Sequence, residues 1–172
     1  MKAIKGNIIS TCRFGELSIL EQGFLILDDR GRIVSVTEQL KGEQNYLPVA
    51  DYGDRLILHS FADMHLHAPQ YPMVGMGMDL PLLDWLNTYT FEVEARFADT
   101  EYAREVYRRL AADLIGWGTT RVVMFSSLHT EATWILMEEL EKAGIVGYVG
   151  KVNMDRNGKD KLQETTEESK RE

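Results

Sequence analysis

The chain after residue 55 alternates between short apolar runs and longer stretches whose apolar residues recur with helical spacing. A short apolar run bounded by turn residues is typical of a buried strand, and we predict such strands at 56–67, 119–125 and 145–152. Helical stretches lie between them, and this alternation predicts parallel βα units in an α/β fold. Three parallel strands are too few for a closed barrel, which needs about eight.

A polar residue marks the beginning of each predicted helix. Asp79 is expected to cap a helix over 80–90, with Pro81 in its first turn, where proline is tolerated. Asp99 begins a longer helix, and Thr130 begins the next one.

The first 55 residues follow a different pattern, in which segments rich in Ile and Leu are broken by glycine. We predict strands at 2–11, 17–28 and 32–37. A turn at residues 28–31 joins the last two, so these segments predict a small antiparallel sheet. The polar segment 41–52 is expected to connect this sheet to the strand that begins at Leu56.

Composition and charge exclude several classes of protein. With 44% hydrophobic residues among 172, the chain is expected to form a packed core. The net charge is −8 and no basic stripe is present, which disfavours nucleic acid and anionic membranes as partners. The single Cys12 excludes an internal disulfide. The first residues, MKAIKGNIIST, lack the apolar segment typical of a signal peptide, and no apolar run reaches the roughly 20 residues that span a bilayer, so we expect a cytoplasmic protein.

The strand that begins at Leu56 carries the clearest candidate chemistry. Side chains two residues apart on a strand share a face, so His65 and His67 can offer two nitrogen ligands to one metal ion. Two solvated histidines at a strand end are the plain alternative. Asp63 is expected either to orient a ligand or to form an ion pair. Gln70 carries an amide that can bind a purine edge or the backbone of its own loop.

Several motifs occur in the order and at the distances found in a known family: ADMHLHAPQYP, GMDLPLLDWLNTYTF, GTTR, FSSLHT, YVGKVNMDRN and TTEES. With these motifs the chain resembles the amidohydrolase superfamily, and within it the guanine deaminases. The resemblance covers essentially the whole chain. It implies a metal-dependent (β/α)8 TIM-type barrel preceded by a small antiparallel β-domain. Residues 1–55 would then be the N-terminal part of a small β-sandwich domain, and residues 56–172 the first βα units of the barrel.

The resemblance also implies roles for particular residues. His65 and His67 would bind Zn²⁺, and His67, Ala68, Pro69 and Gln70 would contribute to a guanine site. Guanine and water would give xanthine and ammonia, and the full-length family suggests a homodimer. No catalytic residue can be placed, because the proton-shuttling Glu of the family is expected beyond residue 172. His129 is not expected to be a ligand.

Two features near the end of the chain complete the predictions. Lys151 and Asp155 suggest a buried ion pair at the strand ends rather than catalytic groups. Thr165 followed by Glu168 is a capping box, which predicts a helix that continues past Glu172 and hence a truncated chain. Such a chain should be inactive by itself. The alternatives are an amidohydrolase that deaminates a different heterocyclic amine, and a shortened, non-catalytic chain that self-associates through its sheet edges.

Overall fold

The computed structural model describes residues 1–171 and divides the chain into two compact units, Met1–His59 and Ser60–Glu172. In the first unit the strands are β1 (Lys2–Arg13), β2 (Glu16–Leu27), β3 (Ile33–Thr37) and β4 (Val49–Ile57). Within the described residues they form one sheet in the order β3-β2-β1-β4. The Asp28 carboxylate accepts hydrogen bonds from the backbone N–H groups of Arg30 and Arg32, which shapes the turn between β2 and β3.

The first sheet confirms the predicted antiparallel pairs and adds a strand that the pattern did not predict. β1 pairs antiparallel with β2, and β2 with β3, whereas β4 pairs parallel with β1. The prediction that 41–52 is only a connection was therefore wrong from Val49 onwards. Nearly all of β4 is exposed, so its polar composition resembles that of a loop. An ion pair between Lys5 and Asp51, with 3.1 Å between Nζ and Oδ2, joins β4 to β1.

The second unit contains the parallel βα arrangement expected from the sequence. Strands β5 (Phe61–His67), β6 (Thr119–Phe125) and β7 (Val146–Gly150) are parallel and lie in that order. The continuous strand predicted from residue 56 is in fact two strands. β4 ends at Ile57 because it pairs with β1, whereas β5 begins at Phe61 and pairs with β6.

A helical segment follows β5 in four pieces: α1 (Leu82–Trp85), a π-helical turn (Leu86–Thr90), α2 (Phe91–Ala95) and a 3₁₀ turn (Arg96–Ala98). The prediction that Asp79 caps this segment was wrong, because Pro81 occupies the N-cap position with extended ψ of 149°. The ring of a proline clashes with the residue before it and disfavours the helical conformation there, so Leu80 is not expected to continue a helix into Pro81. Leu80 instead closes a turn by donating its N–H to the Gly77 carbonyl.

The longer helices α3 (Thr100–Gly116) and α4 (Thr130–Lys142) begin where the sequence predicts. Asp99 caps α3, because its carboxylate accepts from the backbone N–H groups of Glu101 and Tyr102. The capping box of Thr165 and Glu168 is confirmed at the start of the short α5 (Thr166–Ser169), while Glu172 lies outside the described residues. Within residues 1–171, no helix combines the length and apolarity needed to cross a bilayer.

The core of the second unit lies between one face of the sheet and helices α3 and α4. Val122 and Met124 of β6 are buried there together with apolar side chains of both helices. Phe97 is fully buried and stacks on Tyr107, with 5.0 Å between the ring centroids. The helices therefore cover one face of the sheet, whereas Tyr148 of β7 is 80% exposed.

Candidate functional site

The two histidines of β5 lie side by side at the carboxyl end of the strand. The ring centroids of His65 and His67 are 5.2 Å apart, and the rings meet edge to face at 66°. Phe125, at the end of β6, packs against both, with centroid distances of 5.6 Å to His65 and 5.0 Å to His67. The parallel register places Phe125 directly beside His67. Two adjacent strands therefore hold the pair in position.

The surroundings of His67 disfavour its protonated, positively charged form. Burial lowers the pKa of His67, and the neighbouring His65 lowers it further because two positive imidazoles would repel each other. A neutral imidazole keeps a nitrogen lone pair, which is the form that binds a metal ion. The Asp63 carboxylate, for which an orienting bond or an ion pair was expected, lies 3.1 Å from the backbone nitrogen of His65 and accepts its hydrogen.

Gln70 follows the histidines in a 3₁₀ turn, Ala68–Met73, whose N-cap is His67. Its Nε2 atom donates to Oε1 of Glu94 in α2, at 3.2 Å. Glu94 is only 7% exposed. Burial raises the pKa of Glu94, while the hydrogen bond from Gln70 acts in the opposite direction.

Sequence reasoning missed Glu94, although the pattern around it contains a signal. Thr90, Glu94 and Phe97 have the i, i+4, i+7 spacing of one helical face, and all three are buried. A carboxylate at such a position needs a polar partner, because an unpaired buried charge is costly. The spacing predicts a partnered Glu94, but it does not identify Gln70 as the partner.

A cleft of about 750 Å³ opens beside the histidines. It is lined by Asp63, His65, His67 and Gln70 together with mostly apolar side chains, which include Met73, Met78, Leu82, Trp85, Leu86, Leu110 and Leu114. Trp85 donates its indole N–H to the Met76 carbonyl at 2.9 Å and thereby holds the loop around Met76 on one side of the cleft. The structure thus brings three of the predicted site residues into one cleft, His65, His67 and Gln70.

The other two predicted site residues lie beneath this surface. Ala68 is 1% exposed and Pro69 is also buried. Among residues 1–171, neither is in the set that lines the cleft. Their place in the turn means that they shape the path of the chain between His67 and Gln70.

The remaining candidates lie elsewhere in the second unit. His129 is the N-cap residue of α4 and lines a different groove, together with Glu164 and Glu168. The buried ion pair predicted for Lys151 exists, but its expected partner was wrong. Lys151 Nζ lies 2.9 Å from Oε2 of Glu164, whereas the Asp155 carboxylate accepts from Arg156 and Thr166. Glu164 lies only one residue before the Thr165 capping box, so the turn that begins α5 brings it back to the end of β7.

The donor set fits a zinc ion in part. Zinc binds imidazole nitrogen and is usually four-coordinate. His65 and His67 supply two such nitrogens from one face of β5. Among the side chains that the structure describes, no group of three or more from His, Cys, Asp or Glu is placed to hold a metal ion. The pair can therefore serve as two ligands of a site whose other ligands come from elsewhere.

Comparisons with known proteins agree with this geometry. The model of the amidohydrolase family matches residues 56–172. The chain is 36% identical to a guanine deaminase of Dictyostelium discoideum and 38% identical to one of Rattus norvegicus, in each case over 98% of this chain but only 41% and 39% of the relative. A solved guanine deaminase from C. acetobutylicum with bound guanine is 43% identical with a TM-score of 0.89, over 98% of this chain and 40% of that one. The chain thus spans about two fifths of the length of these relatives.

Proposed function

Because the chain belongs to the amidohydrolase family, we propose that it is the N-terminal portion of a zinc-dependent guanine deaminase, which converts guanine and water to xanthine and ammonia. The coverage of two fifths of each relative supports its being a portion. Amidohydrolases are generally metal-dependent, which supports the choice of a metal cofactor.

One observation carries most of the proposal. Over 98% of its length the chain superposes on a guanine deaminase solved with guanine in its active site, and the two sequences are 43% identical. In the present chain the corresponding unit holds two histidines and a glutamine in one cleft. A small-molecule site of this kind, mostly apolar with a few polar groups, suits a flat heterocycle.

The roles of the chain's own residues follow from their chemistry. His65 and His67 would hold the zinc ion as neutral imidazoles, oriented by Phe125. When bound, zinc would supply a water nucleophile at neutral pH, since the ion lowers the pKa of a water ligand to about 7. Gln70 would bind the purine edge through its amide, and the apolar side chains of the cleft would exclude bulk water from the base.

The isolated chain should not turn over guanine, because two imidazoles are an incomplete ligand set. After the purified chain is incubated with guanine and Zn²⁺, we expect liquid chromatography to detect no xanthine. Xanthine formation at the rate of a complete deaminase would show that residues 1–172 hold a complete site, and the proposal that they hold only part of it would be wrong.

A chimera tests the proposed activity directly. Residues 1–172 would replace the matching segment of the guanine deaminase from C. acetobutylicum, which this chain covers over 40% of its length. We expect the chimera to convert guanine to xanthine, and the same chimera with His65→Ala to lose that activity together with zinc. His129→Ala is the matched control, because His129 lies outside the cleft. A folded, zinc-loaded chimera that deaminates another heterocyclic amine but not guanine would refute the proposal.

A further inference from the structure

The contact between Gln70 and Glu94 determines what the glutamine can offer to a ligand. A glutamine amide has a donor end and an acceptor end, and it can present either one after rotation about its last bond. A carboxylate can only accept hydrogen bonds. With Nε2 of Gln70 at 3.2 Å from Oε1 of Glu94, the donor end points at the carboxylate.

Glu94 is placed behind Gln70 rather than in the cleft. It is 7% exposed, and among residues 1–171 it is not part of the set that lines the cleft, whereas Gln70 is. It belongs to α2, which follows directly on the π-helical turn Leu86–Thr90. Glu94 therefore touches the residue that faces the cleft without facing the cleft itself.

We propose that Glu94 is a positioning residue, which holds the amide of Gln70 so that its carbonyl oxygen is presented to the cleft and selects a ligand with an N–H donor at that point. The inference deepens the proposed function and rests on it for the identity of the ligand. Guanine carries N–H groups on its ring and on its exocyclic amine, and so it meets this requirement.

The surroundings of Glu94 explain why the contact is selective. An unpaired buried carboxylate is costly, so Glu94 is stabilised by keeping its hydrogen bond from Gln70. The negative charge of Glu94 acts on Tyr107 of α3, whose pKa is raised mainly by burial. The Tyr107 hydroxyl is paired with Ser126, with 3.3 Å between the oxygens.

The test uses the 172-residue chain labelled with ¹³C and ¹⁵N, with one equivalent of Zn²⁺. Glu94→Gln keeps the shape of the side chain but can pair with Gln70 in either orientation. Glu92→Gln is the matched control, because it removes the same charge from the same helix at an exposed position that pairs with Lys159. In the unmodified chain and in E92Q we expect one side-chain amide proton of Gln70 to be shifted downfield and slow to exchange. We expect E94Q to lose this signature.

Guanine, added to the labelled, zinc-loaded chimera described above and to its E94Q and E92Q variants, tests the second half of the inference, because residues 1–172 alone supply only two metal ligands. We expect the side-chain carbonyl carbon of Gln70 to shift on binding, while the amide-proton signature stays in place. Affinity in E94Q should fall about tenfold, the equivalent of one hydrogen bond to a charged group. The inference is overturned if E94Q retains the amide-proton signature, if guanine shifts the amide protons instead of the carbonyl carbon, or if E94Q binds guanine as well as E92Q does.

The two proposals fail in different ways. If guanine binds to no version of the chimera while the amide-proton signature is present in E92Q and absent from E94Q, the guanine site is refuted and the positioning role of Glu94 is supported. If guanine binds equally to all variants, the guanine site is supported and the positioning role is overturned. A backbone amide spectrum of E94Q that matches the unmodified chain outside α2 and the Gln70 turn verifies that the variant is folded.

Discussion

Lys151→Met should destabilise the second unit strongly, because it leaves a buried carboxylate without its cation. Lys151 Nζ lies 2.9 and 3.0 Å from the two carboxylate oxygens of Glu164, and the side chains are 12% and 9% exposed. At that burial, solvent screens the pair little. Removing one partner of a buried pair costs about 3–5 kcal/mol. Glu164 still accepts from Ser169 and from the backbone of Met154, which offsets part of the loss. We therefore expect a cost of about 3 kcal/mol.

The assay is urea unfolding followed by tryptophan fluorescence. All three tryptophans, Trp85, Trp117 and Trp134, lie in the second unit, so the signal reports on the unit that contains the pair. Lys170→Met is the matched control, since Lys170 pairs with Glu167 while both are well exposed, at 65% and 73%. Exposed pairs contribute less than about 1 kcal/mol. A loss in K151M no larger than that in K170M would refute the reasoning.

Two further measurements separate the charge from the packing. Replacing both Lys151 and Glu164 by methionine should cost less than K151M alone, because the Glu164 carboxylate is removed together with its cation. Burial raises the pKa of Glu164, but the hydrogen bonds from Ser169 and Lys151 outweigh it, so the net pKa is lowered. A lowered pKa in the folded state gives stability that is present above the unfolded pKa and lost as the pH falls. The difference between the unmodified chain and K151M should therefore shrink on acidification, and a constant difference would contradict this account.

Variants at three other positions test the second unit. Phe97→Ala should cost about 3–5 kcal/mol of unfolding free energy, because a fully buried ring that stacks on Tyr107 is removed; a loss under 1 kcal/mol in urea unfolding would contradict this. Asp99→Ala should lower stability by about 1 kcal/mol through loss of the α3 cap, while Asp99→Asn, which can still accept, should retain most of it in thermal unfolding. Glu139→Gln should flatten the acid limb of the stability curve: the hydrogen bond from Lys142 lowers the pKa of Glu139 below its ordinary 4.5, so its contribution is present above that pH and lost below it. An unchanged acid limb would exclude that role for Glu139.

The sequence by itself determined the features that depend on neighbouring residues. The two-residue repeat of a strand places His65 and His67 on one face, and the caps at Asp99 and Thr165 follow from side chains that reach N–H groups two or three residues away. The alternation of apolar runs and helical stretches also predicted the parallel order of β5, β6 and β7. These features are local because the backbone geometry of each element repeats over a few residues.

Only the tertiary structure decided which distant groups meet. Gln70 and Glu94 are 24 residues apart, and Lys151 and Glu164 are 13 apart, separated in each case by turns whose geometry the sequence pattern does not specify. β4 looks like a loop because its exposed position requires no apolar residues, and only its pairing with β1 makes it a strand. Hydrogen-bond partners that are far apart in the sequence depend on how the helices and strands pack. Many packings satisfy the same local pattern, so the role of Glu94 becomes visible only once the structure places Gln70 beside it.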